Sequence, residues 1–310
     1  RSVAVIGASA DAGKTAGRPV AYLRKHGFTG DIYPINPRVD HIDGLRCYPD
    51  VASLPAVPDV GIVLLGAERA HKAVSDLSAR GTAAAIVLAS GYTETGEEGA
   101  RRQAQLRQAA GSMRILGPNT IGLVNLTDHI VLSASGALEM DHFPAGPVGV
   151  VSQSGGILGA LLSRAAARGI GLSKLISTSN EVDLDLADFV DHLADDEATR
   201  VIALYVESVR HPERFRQVLA NLLGNALKHC PPGTPIHVSL RQDQTEICLE
   251  VIDQGPGVAA EGLFQPFERR SSAGTGLGLW IARLLVEAHG GRLTLVSPPG
   301  CHFTCSFPRA

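Results

Sequence analysis

Short apolar runs alternate with amphipathic segments along the first part of the chain. The runs predict strands, and the segments between them place apolar residues at helical spacing. The predicted strands are 3–6, 31–35, 60–65, 84–88 and 113–116, and the predicted helices include 18–26, 67–80 and 96–110. This β-α alternation predicts a parallel, doubly wound sheet.

A second β-α series follows a stretch rich in proline and glycine at 143–147. Its predicted elements are strands 148–151, 175–177 and 201–206 and helices 157–169 and 184–194. At His211 the pattern changes to a long amphipathic helix that leads into strands, a loop and a further helix. We therefore predict three α/β domains, at residues 1–142, 147–210 and 211–310.

Composition narrows the class of protein. The 310 residues include 34 glycines and carry a net charge of −3, which favours a globular nucleotide-binding fold and gives no sign of a nucleic-acid partner. The apolar runs are far shorter than the ~18 residues that span a bilayer. The five cysteines form no Cys-x-x-Cys pair, so reduced thiols in a cytoplasmic protein are expected. The chain opens directly on a strand without an initiator Met, as if trimmed there.

A glycine-rich turn, Gly7 to Gly13, follows the first strand and precedes a helix. Backbone N–H groups in such a turn can approach a phosphate, although the spacing is not Gly-x-Gly-x-x-Gly. The next strand ends at Asn36 and Arg38, where an NAD site usually has an acidic residue. Asn and Arg favour a ligand with a ribose phosphate, such as CoA, and a solvated turn is the alternative.

Four segments together resemble the CoA-binding domain of ADP-forming acyl-CoA synthetases: 2–9, 35–37, 90–96 and 116–123. That domain is similar to the succinyl-CoA synthetase α chain. The resemblance of this sequence to the family covers about residues 1–210. It implies a Rossmann-like domain with a CoA cleft at the C-terminal ends of its strands. The implied lining residues are Gly7, Ser9, Asn36, Arg38, Ser90, Gly91, Pro118 and Asn119.

The second series resembles the succinyl-CoA-ligase-like domain of that family, a partial flavodoxin-like fold here. Ser154 and Gly155 open a helix after a strand, which is a typical anion-binding position. By resemblance this helix start faces a phosphohistidine, and Glu207 matches a glutamate that contacts that histidine. A nucleophile elbow at Ser154 is the alternative, but it would require glycine in place of Ser152. The family's histidine loop and ATP-grasp domain do not follow.

The amphipathic helix that begins near 215 carries Asn221, Asn225 and Lys228 on a face away from its apolar stripe. Asparagine is a poor helix former, so two asparagines at this spacing indicate a role other than helix formation. An amide oxygen at Asn225 could bind Mg²⁺ while Lys228 balances phosphate charge. A solvated polar face is the alternative.

Motifs at 221–229, 253–257, 263–267 and 274–278 resemble the ATP-binding domain of sensor histidine kinases, a two-layer α/β sandwich (Bergerat fold). The resemblance implies that Asp253 accepts a hydrogen bond from the adenine amino group. It also implies glycines that approach the base and the triphosphate: Gly255, Gly257, Gly274, Gly276 and Gly278. The lid between the last two motifs is short, and no upstream helix carries a phospho-acceptor histidine.

Both resemblances predict a fusion that binds CoA or acyl-CoA and Mg-ATP but is incomplete for either full reaction. One alternative is an acyl-CoA synthetase α-type subunit that works with a separate ATP-grasp chain. Another is a histidine kinase module that phosphorylates an acceptor domain in trans. The join at 207–216 fits recombination or a splice, and strand 201–206 would have to serve the sheets on both sides of it.

Overall fold

A computed structural model describes residues 1–206, 236–242, 246–253, 292–296 and 301–308. The chain divides into two compact units, Arg1–His211 and Pro212–Ala310. In the described residues the first unit contains two five-stranded sheets and one two-stranded hairpin, and the second unit contains one four-stranded sheet. The predicted α/β fold class is confirmed, while the exact domain boundaries remain a prediction.

The first sheet of residues 1–206 has the order β2-β1-β5-β6-β7, and every pairing in it is parallel. Helices cover it, so its inner strands β1, β5 and β6 are largely apolar and buried, while β2 begins with an exposed Asp31 and β7 with an exposed Arg114. A short hairpin, β3 with β4, was not predicted from the sequence. The elements are β1 (Ser2–Ile6), α1 (Arg18–Lys25), β2 (Asp31–Ile35), β3 (His41–Ile42), β4 (Leu45–Arg46), β5 (Val60–Val63), α2 (Ala67–Arg80), β6 (Ala84–Val87), α3 (Glu97–Ala110) and β7 (Arg114–Leu116).

The second sheet has the order β12-β10-β11-β8-β9, with β10 parallel to both of its neighbours and β8 antiparallel to β11 and β9. The chain therefore enters this sheet at Gly122, earlier than the proline-rich stretch suggested. Pro147 lies inside β10, where the register shifts as a bulge, a position that tolerates proline. The elements are β8 (Gly122–Asn125), β9 (Ile130–Ser133), β10 (Ala145–Ser152), α4 (Gly155–Ala167), β11 (Leu172–Ser177), α5 (Leu186–Ala194) and β12 (Val201–Tyr205).

The second unit contains an antiparallel sheet of order β13-β14-β16-β15 in the described ranges. Its strands are β13 (Ile236–Gln242), β14 (Glu246–Asp253), β15 (Arg292–Val296) and β16 (Cys301–Pro308). One register row across all four strands is Leu240, Leu249, Cys305 and Leu293, and polar rows alternate with it. This alternation is typical of a sheet with one covered face.

The strand at 201–206 does not serve two sheets. Among the described strands, β12 pairs with β10 and with none of β13 to β16. The sequence-based expectation of a shared strand is therefore wrong, because the second unit supplies its own ladder.

A segment after β11, residues 178–184, joins the two sheets of the first unit, and we call it the bridging segment. Its backbone runs along the edge of β7: Val182 N donates to Gly117 O at 2.9 Å and Leu184 N to Ile115 O at 3.0 Å. Asp183 adds a side-chain acceptor, since its Oδ2 receives Ile115 N at 2.9 Å. The same oxygen lies 2.8 Å from Arg114 Nε. The edge of β7 is thus paired by residues of the second series.

We expect Asp183→Ala to lower the free energy of unfolding of the first unit by about 1–3 kcal/mol, because the Ile115 amide and the Arg114 guanidinium lose a charged acceptor. Calorimetric unfolding of the full chain measures this. Asp191→Ala, at an exposed position of α5, is the matched control. Equal transition temperatures for the two variants would contradict the role of Asp183.

Candidate functional site

The turn after β1 has the tight geometry that its glycine predicts. Gly7 has φ +84°, and a Cβ there would lie 2.7 Å from Leu65 Cδ2, so only glycine fits without displacement. Farther along, Ser9 Oγ accepts Asp11 N at 3.1 Å and Asp11 Oδ1 accepts Gly13 N at 3.1 Å. A phosphate in this loop would have to replace these internal acceptors.

Asn36 ties the ends of the first two strands together. Its Nδ2 donates to Ala8 O at 2.8 Å, and its Oδ1 accepts Arg38 N at 3.0 Å. Both atoms of the amide are therefore engaged with backbone, and Asn36 shapes the loops rather than presenting a free group. The Arg38 side chain is exposed at the same sheet edge.

A cavity of about 610 Å³ opens at the C-terminal ends of β1 and β2, against α2. Of the predicted CoA residues it includes Gly7, Asn36 and Arg38. The rim carries both signs of charge, and the Lys72 ammonium pairs with Asp76 at 2.8 Å. The other lining residues are Ile6, Ile35, Pro37, Pro49, Asp50, Val51, Leu65, Glu68, Arg69 and Ala73. An apolar floor with a polar rim suits a nucleotide-sized ligand.

Sequence reasoning missed the contribution of α2 to this cavity. Arg69, Lys72 and Asp76 repeat at helical spacing and line it together. Exposed charges on a helix usually mark a solvated face, so this pattern carried no signal by itself. The spacing relative to the buried residues of α2 could have placed them on the side nearest the strand ends.

Of the other predicted CoA residues, Ser9 lies in the turn after β1 and does not line the cavity, and the remaining four form a second group. Ser90 and Gly91 follow β6, and Pro118 and Asn119 follow β7, so they share the sheet edge with the cavity but do not line it. Gly91 has φ +97°, and its N–H donates to Glu94 Oε1 at 2.5 Å. Pro118 and Asn119 contact the bridging segment, since Pro118 O accepts Asn180 N at 3.2 Å and Asn119 Nδ2 donates to Asn180 Oδ1 at 3.5 Å.

The predicted phosphate loop connects β10 to α4. Ser154 caps the helix in extended conformation at φ −103°, and α4 begins at Gly155, as the sequence indicated. Ser152 Oγ accepts Ser154 N at 3.0 Å, which fixes the loop. The strained turn of a nucleophile elbow is not the conformation of Ser154 here.

A buried carboxyl, Glu181, lies behind this loop and was not predicted. Its Oε1 accepts three hydrogen bonds: Gln153 Nε2 at 3.0 Å, Thr178 Oγ1 at 2.7 Å and Leu186 N at 3.2 Å. Burial raises the pKa of Glu181, and the hydrogen bonds only partly oppose that rise. An acidic residue within an otherwise ordinary loop gives no sequence signal for burial.

Several predicted site residues lie outside the described residues: Glu207, Asn221, Asn225, Lys228, Gly255, Gly257, Gly274, Gly276 and Gly278. Asp253 is the last residue of β14, in register with Ile236 and Cys301. In the described ranges no group of three or more His, Cys, Asp or Glu could hold a metal ion. No helix in those ranges is both long and apolar enough to span a bilayer.

We expect Glu181→Gln to flatten the pH dependence of stability. A carboxyl whose pKa is raised by folding stabilises below its ordinary value of 4.5, and that contribution is lost as pH rises through the raised folded value. The amide keeps an oxygen acceptor and does not titrate. Between pH 4.5 and 8, the melting temperature of the variant should therefore rise relative to that of wild type as the pH rises. A constant difference, equal to that of the exposed control Glu197→Gln, would contradict this.

Three family models match successive parts of the chain. A CoA binding domain matches residues 1–125, a succinyl-CoA ligase like flavodoxin domain matches 145–226, and a histidine kinase-, DNA gyrase B-, and HSP90-like ATPase matches 210–310. The last two matches overlap at 210–226, where the sequence is compatible with both families. The overlap includes the helix predicted to carry Asn221 and Asn225.

Individual relatives agree. The acetate–CoA ligase [ADP-forming] II subunit alpha of Pyrococcus furiosus is 34% identical over 70% of this chain and 47% of its own length. The solved dinucleotide-forming acetyl-coenzyme A synthetase 1 of Candidatus Korarchaeum cryptofilum, in complex with phosphate and ADP, is 31% identical over 71% of this chain and 47% of that chain, with a TM-score of 0.67. The mycobacterial sensor histidine kinase MprB is 36% identical over 31% of this chain and 70% of that chain, with a TM-score of 0.25.

The chain spans about a third to a half of the length of the curated ligases it matches. The matched residues follow one another in the order that the sequence motifs indicated, so both resemblances are confirmed. The chain thus joins a CoA-binding, succinyl-CoA-ligase-like module of the ADP-forming ligase α type to a domain of the histidine kinase-type ATPase family.

Proposed function

We propose that the first unit binds CoA or acyl-CoA and that the second binds Mg-ATP, without completing the reaction of either family. The cavity beside β1 and β2 supports the first part. Arg38 and Arg69 line it above an apolar floor, so it offers guanidinium groups for phosphates and an apolar surface for a base. The lining also carries carboxylates, and one of them, Asp76, pairs with Lys72. NAD also has a pyrophosphate, but it lacks the additional phosphate monoester that CoA carries on its ribose.

The second part rests on the ATPase-family match at 210–310 and on the register of β14. Asp253 ends that strand, where a carboxylate acceptor can meet the adenine amino group. Asn225 would hold Mg²⁺ through its amide oxygen, which suits a hard cation. The metal would supply charge neutralisation at the triphosphate, and Lys228 would add to it.

A ligase α-type subunit is the second candidate function. The Pyrococcus furiosus relative is named as a subunit alpha, and the phosphate loop at Ser154 and Gly155 has the helix start that an anion requires. In this case the partner is an ATP-grasp chain, and Glu207 would face the phosphorylated histidine. A phospho-acceptor domain is the corresponding partner if the kinase-type domain acts in trans. Either role is consistent with a cytoplasmic protein.

Titration calorimetry of the full chain tests the CoA site. We expect CoA to bind and NAD not to bind. Arg69→Ala should lower the affinity for CoA about tenfold, because a charge-assisted contact with phosphate is lost. Arg101→Ala, at an exposed position of α3 outside the cavity, is the matched control. Binding of NAD but not CoA would restore an ordinary dinucleotide fold and contradict the proposal.

The ATP site is tested with a non-hydrolysable ATP analogue and Mg²⁺. We expect Asp253→Asn to lower affinity by more than about tenfold, because a charged acceptor for the adenine amine becomes a neutral amide. Asp191→Asn in the first unit controls for the substitution itself. Removal of Mg²⁺ with a chelator should also weaken binding. Equal affinity in wild type and Asp253→Asn would remove the assignment.

A further inference from the structure

Two consecutive side chains of the bridging segment contact different loops. Asn180 reaches the turn after β6, while Glu181 accepts from Gln153 in the loop before α4. Glu181 has φ +51°, a left-handed conformation that is uncommon for a side chain of this size. The backbone between them therefore turns so that one residue faces the predicted CoA group and the next faces the predicted phosphate loop.

The Asn180 amide donates to the Glu94 carboxylate, which accepts hydrogen bonds from the backbone of the turn after β6. Its Nδ2 donates to Glu94 Oε2 and, at 3.2 Å, to Gln103 Oε1. The other oxygen of Glu94 accepts Gly91 N at 2.5 Å and Tyr92 N at 3.2 Å. Burial acts to raise the pKa of Glu94, but the hydrogen bonds, Asn180 first among them, outweigh it and lower the pKa. Glu94 is thus a fixed anion between Asn180 and the turn.

The turn needs this support. Gly91 has φ +97°, and its carbonyl oxygen accepts Arg102 Nη1 at 2.6 Å. Glu94 accepts a hydrogen bond from the Gly91 N–H, and Arg102 donates one to the Gly91 carbonyl oxygen. These two hydrogen bonds orient the peptide planes on both sides of Gly91. The position of Glu94 depends on Asn180, which is anchored in turn by its own N–H on Pro118 O at 3.2 Å.

We propose that Asn180, a residue of the second series, is a positioning residue for the turn at Ser90 to Tyr92. This turn lies at the same sheet edge as the cavity, and the family resemblance assigns it to CoA. This role rests on the proposed CoA function. Asn180 lies outside the part of the chain that matches the CoA binding domain, residues 1–125. CoA affinity therefore depends on the bridging segment as well as on the cavity itself.

A polarity swap tests this role in the full chain. Asn180→Asp sets two carboxylates against each other, and Glu94→Gln sets two amides against each other. In the double variant, Gln at 94 can still accept Gly91 N through its oxygen while its amide donates to Asp at 180. We expect each single variant to lower the affinity for CoA about tenfold. The affinity of the double variant should return to within about threefold of the wild-type value. Gln105→Ala, exposed on α3, is the control.

Amide hydrogen exchange of the free protein gives a readout without ligand. Exchange at Gly91 and Tyr92 should accelerate in Asn180→Ala and Asn180→Asp and slow again in the double variant, with the core of β1 unchanged. A loss of global stability would instead accelerate exchange everywhere and would not be rescued.

The outcomes separate two failures. If wild type binds CoA and Asn180→Ala binds it equally well, Asn180 has no positioning role and the proposed function stands. If the double variant does not recover affinity for CoA, Asn180 does not position the turn through its contact with Glu94. If wild type does not bind CoA at all, the proposed function falls and this role falls with it.

Discussion

The pairing of the bridging segment with β7 links the two large sheets of the first unit. β7 is the last strand of a parallel sheet, and its outer edge would otherwise present unpaired N–H and C=O groups. Residues of the second series satisfy these groups through Val182 and Leu184, and Asp183 adds a charged acceptor. The loops at the C-terminal ends of both sheets are positioned by this contact, because the same segment continues into Asn180 and Glu181.

The parallel sheet could be predicted because its strands are buried on both faces and alternate with amphipathic helices, which leaves a clear period in the sequence. The hairpin of β8 and β9 could not, since its strands are four residues each and Gly122 gives no hint of the sheet it joins. The stretch at 143–147 predicts a boundary, yet Pro147 lies at a bulge within β10. Proline marks an irregularity in the ladder as readily as it marks a linker.

The structure brings the predicted CoA residues together only in part, and their role in binding stays a prediction. Gly7, Asn36 and Arg38 meet at one cavity because the ends of neighbouring parallel strands share an edge. Ser90 and Asn119 follow strands at the same edge, but Asn119 contacts Asn180 of the bridging segment, and a long-range contact of this kind leaves no periodic trace in the sequence. Glu181 was missed for the same reason: burial of a loop carboxyl is decided by tertiary packing, and the sequence shows only an ordinary acidic residue.

The join between the two families is tolerated because neither ladder crosses it. β12 is an edge strand of the second sheet, so the chain can leave after Tyr205 without removing a partner from a central strand. β13 to β16 pair among themselves, so the described part of the second unit's ladder borrows no strand from the first. The overlap of the family matches at 210–226 falls between these two ladders. The change of family therefore falls between the described ladders and not within either of them.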